Sequence, residues 1–286
     1  MLGAGAADTL SKASVTEDIR SILLHLDATA GSFERLALAH ALADRHEASV
    51  TALFGARSET VDASFAHSAG AALAAAESRP EPHARERDLL QDRLRSHESM
   101  WCEVSSHALV AAMVAEATYA DLLVLGRQGE SEAGGPPAGF VEAVILQSGT
   151  PAVVLPYPHR KLSIGHRVLV AWDGSLRAAR AVRSALPLLR LAERVQVVTW
   201  GRQCPAAPLS RLDMPGWLQR HGIAVHLQLR PPSAQIVQEL ASVAEDDDTD
   251  LVVMGCYGHS RIRERIFGGV TRAVLARLPV AVWMAH

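Results

Sequence analysis

Two rhythms of apolar and polar positions alternate along this chain. Short, nearly continuous apolar runs such as SILLHL, DLLVLG, RVLVA, VQVVTW and LVVMG are separated by longer stretches whose apolar residues recur every three or four positions. The first kind reads as strands buried on both faces, the second as amphipathic helices. Strands are expected near 19–27, 48–55, 100–106, 121–126 and 151–155, and again near 167–172, 195–200, 223–229, 250–255 and 279–284. Between the later strands, helices are expected at about 175–192, 209–221, 233–245 and 269–277. Strand and helix in strict alternation predict an α/β protein, with a parallel sheet covered by helices on both faces.

The pattern occurs twice. ADLLVLGRQG (120–129) aligns with TDLVVMGCYG (249–258), pairing Asp121 with Asp250, Gly126 with Gly255 and Gly129 with Gly258 at an offset of 129. Upstream, IRSILLHLDATAGSFERLALAHALA (19–43) matches HRVLVAWDGSLRAARAVRSALPLL (166–189), each an apolar strand that ends at an Asp and leads into a helix. Asp27 thus corresponds to Asp173. The Asp-to-Gly separation is 99 residues in the first copy and 82 in the second, which places an insertion of 17 within 57–99. A boundary falls near Pro156–Lys161, where prolines and polar residues cluster.

The segment GCYGHSRIRERIFGGVT (255–271) carries the candidate chemistry. Gly255 ends an apolar strand, Gly258 follows three residues later, and the Gly268-Gly269 pair opens a helix. Glycines let the backbone approach a ligand closely, and a helix N-terminus supplies unpaired N–H donors and partial positive charge, so the arrangement suits a phosphate. Arg261, Arg263 and Arg265 against Glu264 add a local charge of +2 before His259 is counted. In open α/β sheets, ligands lie beyond the carboxyl ends of strands where the strand order reverses, which would bring Asp173 and Gly255 together.

Gly255-x2-Gly258-x9-Gly268, following a strand-ending Asp173, resembles the ATP-binding pattern of the universal stress protein family. The resemblance runs from about residue 18 to 286 and implies two tandem Rossmann-like domains of the adenine nucleotide alpha hydrolase-like type. Each would hold a five-stranded parallel sheet core with helices on both faces. They would span 18–157 and 163–286. It further implies that Asp173 lies near the adenine or ribose and that Met254 lines the base pocket. Gly255, Gly258, Gly268, Gly269 and Thr271 would then surround the phosphates of ATP, held with or without Mg²⁺, and His259, Arg261 and Val270 of the same segment are counted among the nucleotide-binding residues. The family pattern ends Gly-Ser/Thr, whereas Gly269 stands here in the hydroxyl position. Domains of this family commonly meet through their last strands, here about 151–155 and 280–284, so an intramolecular pseudo-dimer is implied, with a homodimer also open. A role in regulating stress survival, through a regulatory protein partner, follows from the resemblance alone.

The first copy keeps the glycine spacing but loses the phosphate chemistry. In GRQGESEAGGPPAGFVE (126–142), Phe140 stands for Gly269 and Glu142 for Thr271, while Glu130 and Glu132 outnumber Arg127. Carboxylates oppose a polyphosphate, and Pro136-Pro137 removes backbone donors. This copy is expected to bind no ATP and to act as a structural or regulatory partner for the second.

Composition narrows the remaining classes. A formal net charge of −3 gives no general attraction to nucleic acid or anionic lipid. Cys102, Cys204 and Cys256 are odd in number and far apart, which disfavours a disulfide framework. With no basic-then-apolar leader at MLGAGAADTLSKAS and no apolar run of membrane-spanning length, a cytoplasmic protein is expected. Thirteen histidines form no metal-ligand motif, Glu245–Asp248 reads as a solvated acidic loop, and Cys256 reads as packing before redox sensing. GxSxG, GxxxxGK[ST] and nucleophile–base motifs are absent, so catalysis is not indicated, although slow ATP hydrolysis with Asp173 orienting water stays open.

Overall fold

The structure is a computed structural model that describes residues 18–55, 83–94, 99–105, 107–127, 134–159, 161, 163–201, 213–257 and 269–286. Ten strands form one sheet: β1 (Ser21–Leu26), β2 (Ser49–Phe54), β3 (Ser99–Glu103), β4 (Leu122–Gly126) and β5 (Ala152–Leu155), then β6 (Arg167–Ala171), β7 (Arg194–Trp200), β8 (Val225–Arg230), β9 (Leu251–Gly255) and β10 (Ala281–Ala285). Their order is β3-β2-β1-β4-β5-β10-β9-β6-β7-β8. Read outward from the centre, each half is the same five-stranded parallel arrangement. The halves join where β10 runs antiparallel to β5, with Val282 opposite Val154 and Met284 opposite Ala152. The expected meeting of the last strands is therefore observed, and it makes one continuous sheet.

The helices form two layers. On one face lie α1 (Gly31–His46), α2 (Ala84–Leu94), α5 (Leu176–Ser184), α6 (Leu186–Leu189) and α7 (Met214–Arg220). On the other lie α3 (Leu109–Glu116), α4 (Phe140–Ser148), α8 (Ile236–Asp246) and α9 (Val270–Arg277). Central strands feed both layers through the two-residue period: Leu251 and Val253 point to one core, Val252 and Met254 to the other. That is why LLVLG and LVVMG are apolar throughout. The outermost strand β8 has no fully buried residue, only partly buried and exposed positions, as befits an edge strand. The helix expected over 175–192 is broken at Ala185, before Pro187, into α5 and α6.

The duplicated Asp that opens each LVVMG-like run has a structural task. Asp250 accepts backbone N–H bonds from Gly165, His166 and Arg167 at 2.7, 2.9 and 3.0 Å. Asp121 accepts from Arg20 and Ser21 at 2.8 and 2.9 Å. Each carboxylate ties down the chain entering the neighbouring strand, β6 or β1, whose first donors precede the ladder. The acidic loop is held by cations: Asp247 pairs with Arg194 at 3.1 Å and Asp248 with Lys161 at 2.8 Å.

Candidate functional site

The strand order reverses between β6 and β9, and a cavity of about 200 Å³ opens at their carboxyl ends. β6 stops at Ala171, and Trp172 and Asp173 lead into a turn at Gly174, whose φ of 75° is the left-handed region that favours glycine. Asp173 accepts the Ser175 N–H at 2.9 Å, and Ser175 caps α5 by accepting from Ala178 N at 3.1 Å. The N-terminus of α5 consequently sits directly over the end of β9. A Cβ on Gly255 would lie 2.5 Å from Ala178 N and 2.6 Å from Arg177 C, so only glycine fits. Opposite, α9 starts after Gly269, an N-cap residue that has no side chain with which to accept from the first N–H groups of the helix.

Five of the residues expected from sequence meet in this cavity: Asp173, Met254, Gly255, Val270 and Thr271 all line it. Gly269 is the N-cap of α9 immediately beside them. Gly258, His259, Arg261 and Gly268 lie outside the described residues. Asp173 is exposed and Met254 is buried against the sheet. Thr271 is buried, and its Oγ1 accepts the Tyr257 N–H at 3.1 Å, so the hydroxyl joins the end of β9 to the start of α9. It retains a proton to donate, but its position is set by that backbone bond.

Sequence reasoning did not single out Trp172, Ser175, Arg177, Trp200 or Ile236, which with Ala171 complete the lining. A signal for two of them was present. Trp200 ends VQVVTW, and Trp172 directly precedes the strand-terminating Asp173, so both stand at the carboxyl edge of the sheet where ligands collect. Arg177, in the first turn of α5, brings a guanidinium to the lining, and its Nε lies 3.4 Å from His286 Nδ1. Among the described lining residues Asp173 is the one carboxylate. Cys256 is buried with Sγ 3.3 Å from the Ala285 carbonyl, a packing position. Among the described residues no three His, Cys, Asp or Glu side chains group to hold a metal ion.

At the corresponding place in the first half, the chain fills the space with its own charges. Asp27, the counterpart of Asp173, is 1% exposed and receives Arg35 Nη2 at 2.8 Å. Arg35 also donates to the His25 carbonyl at 2.9 Å and to Ser32 Oγ at 2.7 Å, and Ser32 in turn donates to Asp27. The guanidinium lies against Gly126, where a Cβ would come within 2.1 Å of Nη1. Gly134 to Pro136 is buried, and Gly134 accepts the Ala28 N–H at 3.2 Å, closing the turn from above. Phe140 packs on His25 with ring centroids 4.5 Å apart. Burial pushes the Asp27 carboxyl up, but Arg35 and then His25 outweigh it and hold the group at about 2. Burial dominates at His25 and lowers it to about 4, so the ring is neutral at physiological pH.

The fold and the cleft together define a duplicated, doubly wound α/β protein in which one half keeps an open pocket at its switch point and the other closes it. Comparison with known proteins finds a family domain in the second half. The universal stress protein family matches residues 165–286, and the chain carries a domain of that family there. "Universal stress protein Slr1230" of Synechocystis sp. is 28% identical over 167 residues, a match that spans 57% of this chain and 56% of that protein. The chain thus matches about half the length of that relative. A universal stress protein from Archaeoglobus fulgidus superposes with a TM-score of 0.64 at 18% identity, covering 93% of this chain and 97% of that one. A putative universal stress protein from Pseudomonas aeruginosa UCBPP-PA14 gives 0.56 at 17% identity, covering 93% of each. At these identities the two structures speak to the fold, and their near-complete coverage spans both halves of the sheet. No helix among the described residues is long and apolar enough to cross a membrane.

Proposed function

We propose that this is a tandem universal stress protein whose domains occupy 18–157 and 163–286, and that the second binds ATP as a nucleotide-dependent regulator of stress survival in the cytoplasm. The observation that carries the reading is the cavity between β6 and β9, where the N-termini of α5 and α9 converge on Asp173, Met254, Gly255 and Thr271. Two helix ends, an arginine and a strand-terminal glycine offer donors to a phosphate chain, and Met254 with its apolar neighbours offers a surface to a ring. Asp173 is the proposed contact for the ribose or base. Gly258, His259, Arg261, Gly268, Gly269 and Val270 belong to the proposed phosphate loop. A single carboxylate does not hold Mg²⁺ by itself, so the ion would arrive coordinated by the nucleotide's phosphates. The first domain serves as built-in partner through β5, and a downstream regulatory protein receives the signal.

Denaturing freshly purified protein and analysing the released small molecules by chromatography and mass spectrometry tests the reading. An adenine nucleotide is expected, or failing that, calorimetric binding of ATP with Mg²⁺ that Gly258→Glu abolishes. Absence of both rejects it. A second reading, an interaction scaffold that holds no nucleotide, is favoured by one observation: the Thr271 hydroxyl already accepts the Tyr257 N–H, and Gly269 offers no hydroxyl in its place. Slow ATP hydrolysis would be seen as turnover lost in Asp173→Ala.

A further inference from the structure

An arginine of the first half reaches into the second. Arg127 directly follows β4, and its backbone is fixed there, because its N–H donates to the Leu155 carbonyl of β5 at 2.7 Å. Its side chain crosses the seam: Nη1 donates at 2.9 Å to the carbonyl of Leu278, the C-cap of α9. The helix stops there because Pro279 follows, and a residue before proline is driven into the extended conformation that Leu278 adopts. The guanidinium is partly buried, and burial lowers its pKa, yet arginine keeps its charge. No carboxylate among the described residues offsets that burial.

A cation so placed suits a helix C-terminus, where the last carbonyls carry partial negative charge. With eight residues α9 is too short to be stable by itself, so its position depends on what holds it. Its opposite end, Val270 and Thr271, lines the cavity between β6 and β9. About 12 Å of helix separates the two ends, so Arg127 acts on the cavity only through α9. A cation at the C-terminus and an anion at the N-terminus stabilise the same alignment of peptide dipoles. A helix already held in that alignment spares the ligand the cost of ordering it.

We propose that Arg127 is a positioning residue through which the first half sets the affinity of the cavity in the second, by holding α9 with its first turn presented to an anionic ligand. The inference rests on the nucleotide reading for the identity of that ligand. It adds a task for the half that closes its own switch point.

The test measures ATP binding with Mg²⁺ by calorimetry, and amide hydrogen exchange without ligand, both on the full-length chain. Arg127→Met should weaken ATP about three- to tenfold, while Arg127→Lys, which keeps a cation for the one carbonyl, should stay within about twofold of wild type. Arg45 provides the control. It also crosses between the halves, donating to the Ile164 and Leu191 carbonyls at 2.9 and 3.2 Å, but it bonds to neither α9 nor the lining of the cavity. Arg45→Met should therefore lower the melting temperature and leave ATP affinity unchanged, which a general loosening of the seam would not do. In the ligand-free protein the amides of α9 should exchange about three- to tenfold faster in Arg127→Met than in wild type. Should Arg127→Met fail to fold, Arg127→Gln, which drops the charge and keeps a donor, takes its place in both measurements. If wild type binds ATP and Arg127→Met binds it equally well, or if Arg45→Met weakens it as much, Arg127 does not position the site and the nucleotide reading stands. If wild type binds no ATP, the nucleotide reading falls and the claim about affinity with it; the anchor is then decided by exchange alone, and unchanged exchange in α9 overturns it.

Discussion

Asp27 and Asp173 end equivalent strands, begin equivalent turns and accept equivalent backbone N–H bonds from Thr29 and Ser175, each at 2.9 Å, yet their surroundings are opposite. Asp27 is sealed in with Arg35, Ser32 and His25, while Asp173 faces an open cavity. The difference comes from what each following helix presents. In α1 the long Arg35 reaches back across Gly126; at the aligned place in α5 stands Ala181, and the helix backbone itself comes down onto Gly255. One duplication has thus produced a half stabilised by an internal ion pair and a half that leaves its polar groups available. The general lesson is that a chain can fill its own switch point with an ion pair, since a buried carboxylate must find a charge from somewhere.

The largest effect is expected from removing that charge. Arg35→Met leaves Asp27 buried without its cation and should destabilise the fold by about 3–5 kcal/mol, measured by urea unfolding. Adding Asp27→Asn should recover a good part of the loss, because the uncompensated charge is gone. If Arg35→Met cost no more than Asp173→Asn, an exposed change expected to fall within about 0.5 kcal/mol, the contrast between the halves would be false.

Titration sharpens the same contrast. His25 is about 4 in the folded protein against 6.5 unfolded, so between these values the unfolded chain binds a proton that the native state refuses. Stability is therefore full above pH 6.5 and falls by about 3 kcal/mol as pH drops to about 4. Asp27, lowered from 3.8 to about 2, then loses its own contribution over that lower interval. His25→Leu should flatten the upper part of the curve and, because His25 helps to hold Asp27 down, shrink the lower part without abolishing it, since Arg35 remains. A wild-type stability curve that is flat from pH 6.5 to 4 would mean that the ring is not sealed.

Much of this architecture was legible in the sequence, for identifiable reasons. Central strands buried on both faces are apolar throughout, and all ten strands, the half-exposed edge strands β3 and β8 included, were placed within about three residues of their observed ends. Both copies of Asp-x-x-x-x-Gly stood out because their spacing is exact, and the structure gives the Asp a backbone-tying role that spacing alone could not reveal. The pocket was anticipated from Asp173, Met254 and Gly255, all adjacent in sequence to strand ends. Arg35 was invisible, because whether a helical arginine points to solvent or back under the sheet depends on how close the helix sits to the next strand. Trp200 was missed for a similar reason: it reads as the last apolar residue of a strand until the fold shows that β7 borders the switch point.

The finest probe of the comparison is the paired glycine. Gly255→Ala sets a methyl 2.5 Å from the backbone of Ala178, and backbone cannot rotate away as a side chain can. The N-terminus of α5 must then lift off β9, at a cost of about 1–3 kcal/mol, and the floor of the cavity shifts with it. Gly126→Ala meets the Arg35 guanidinium instead, so its cost should track the ion pair. Combining each substitution with Arg35→Met separates the two. Loss at position 126 should be largely absorbed in the Arg35→Met background, because the methyl then enters space that the shorter side chain vacates. Loss at 255 should be unchanged, since 255 and 35 share no partner. Equal behaviour of the two glycines in this double-mutant cycle would show that both halves close their switch points in the same way, and the asymmetry on which the binding proposal rests would be gone.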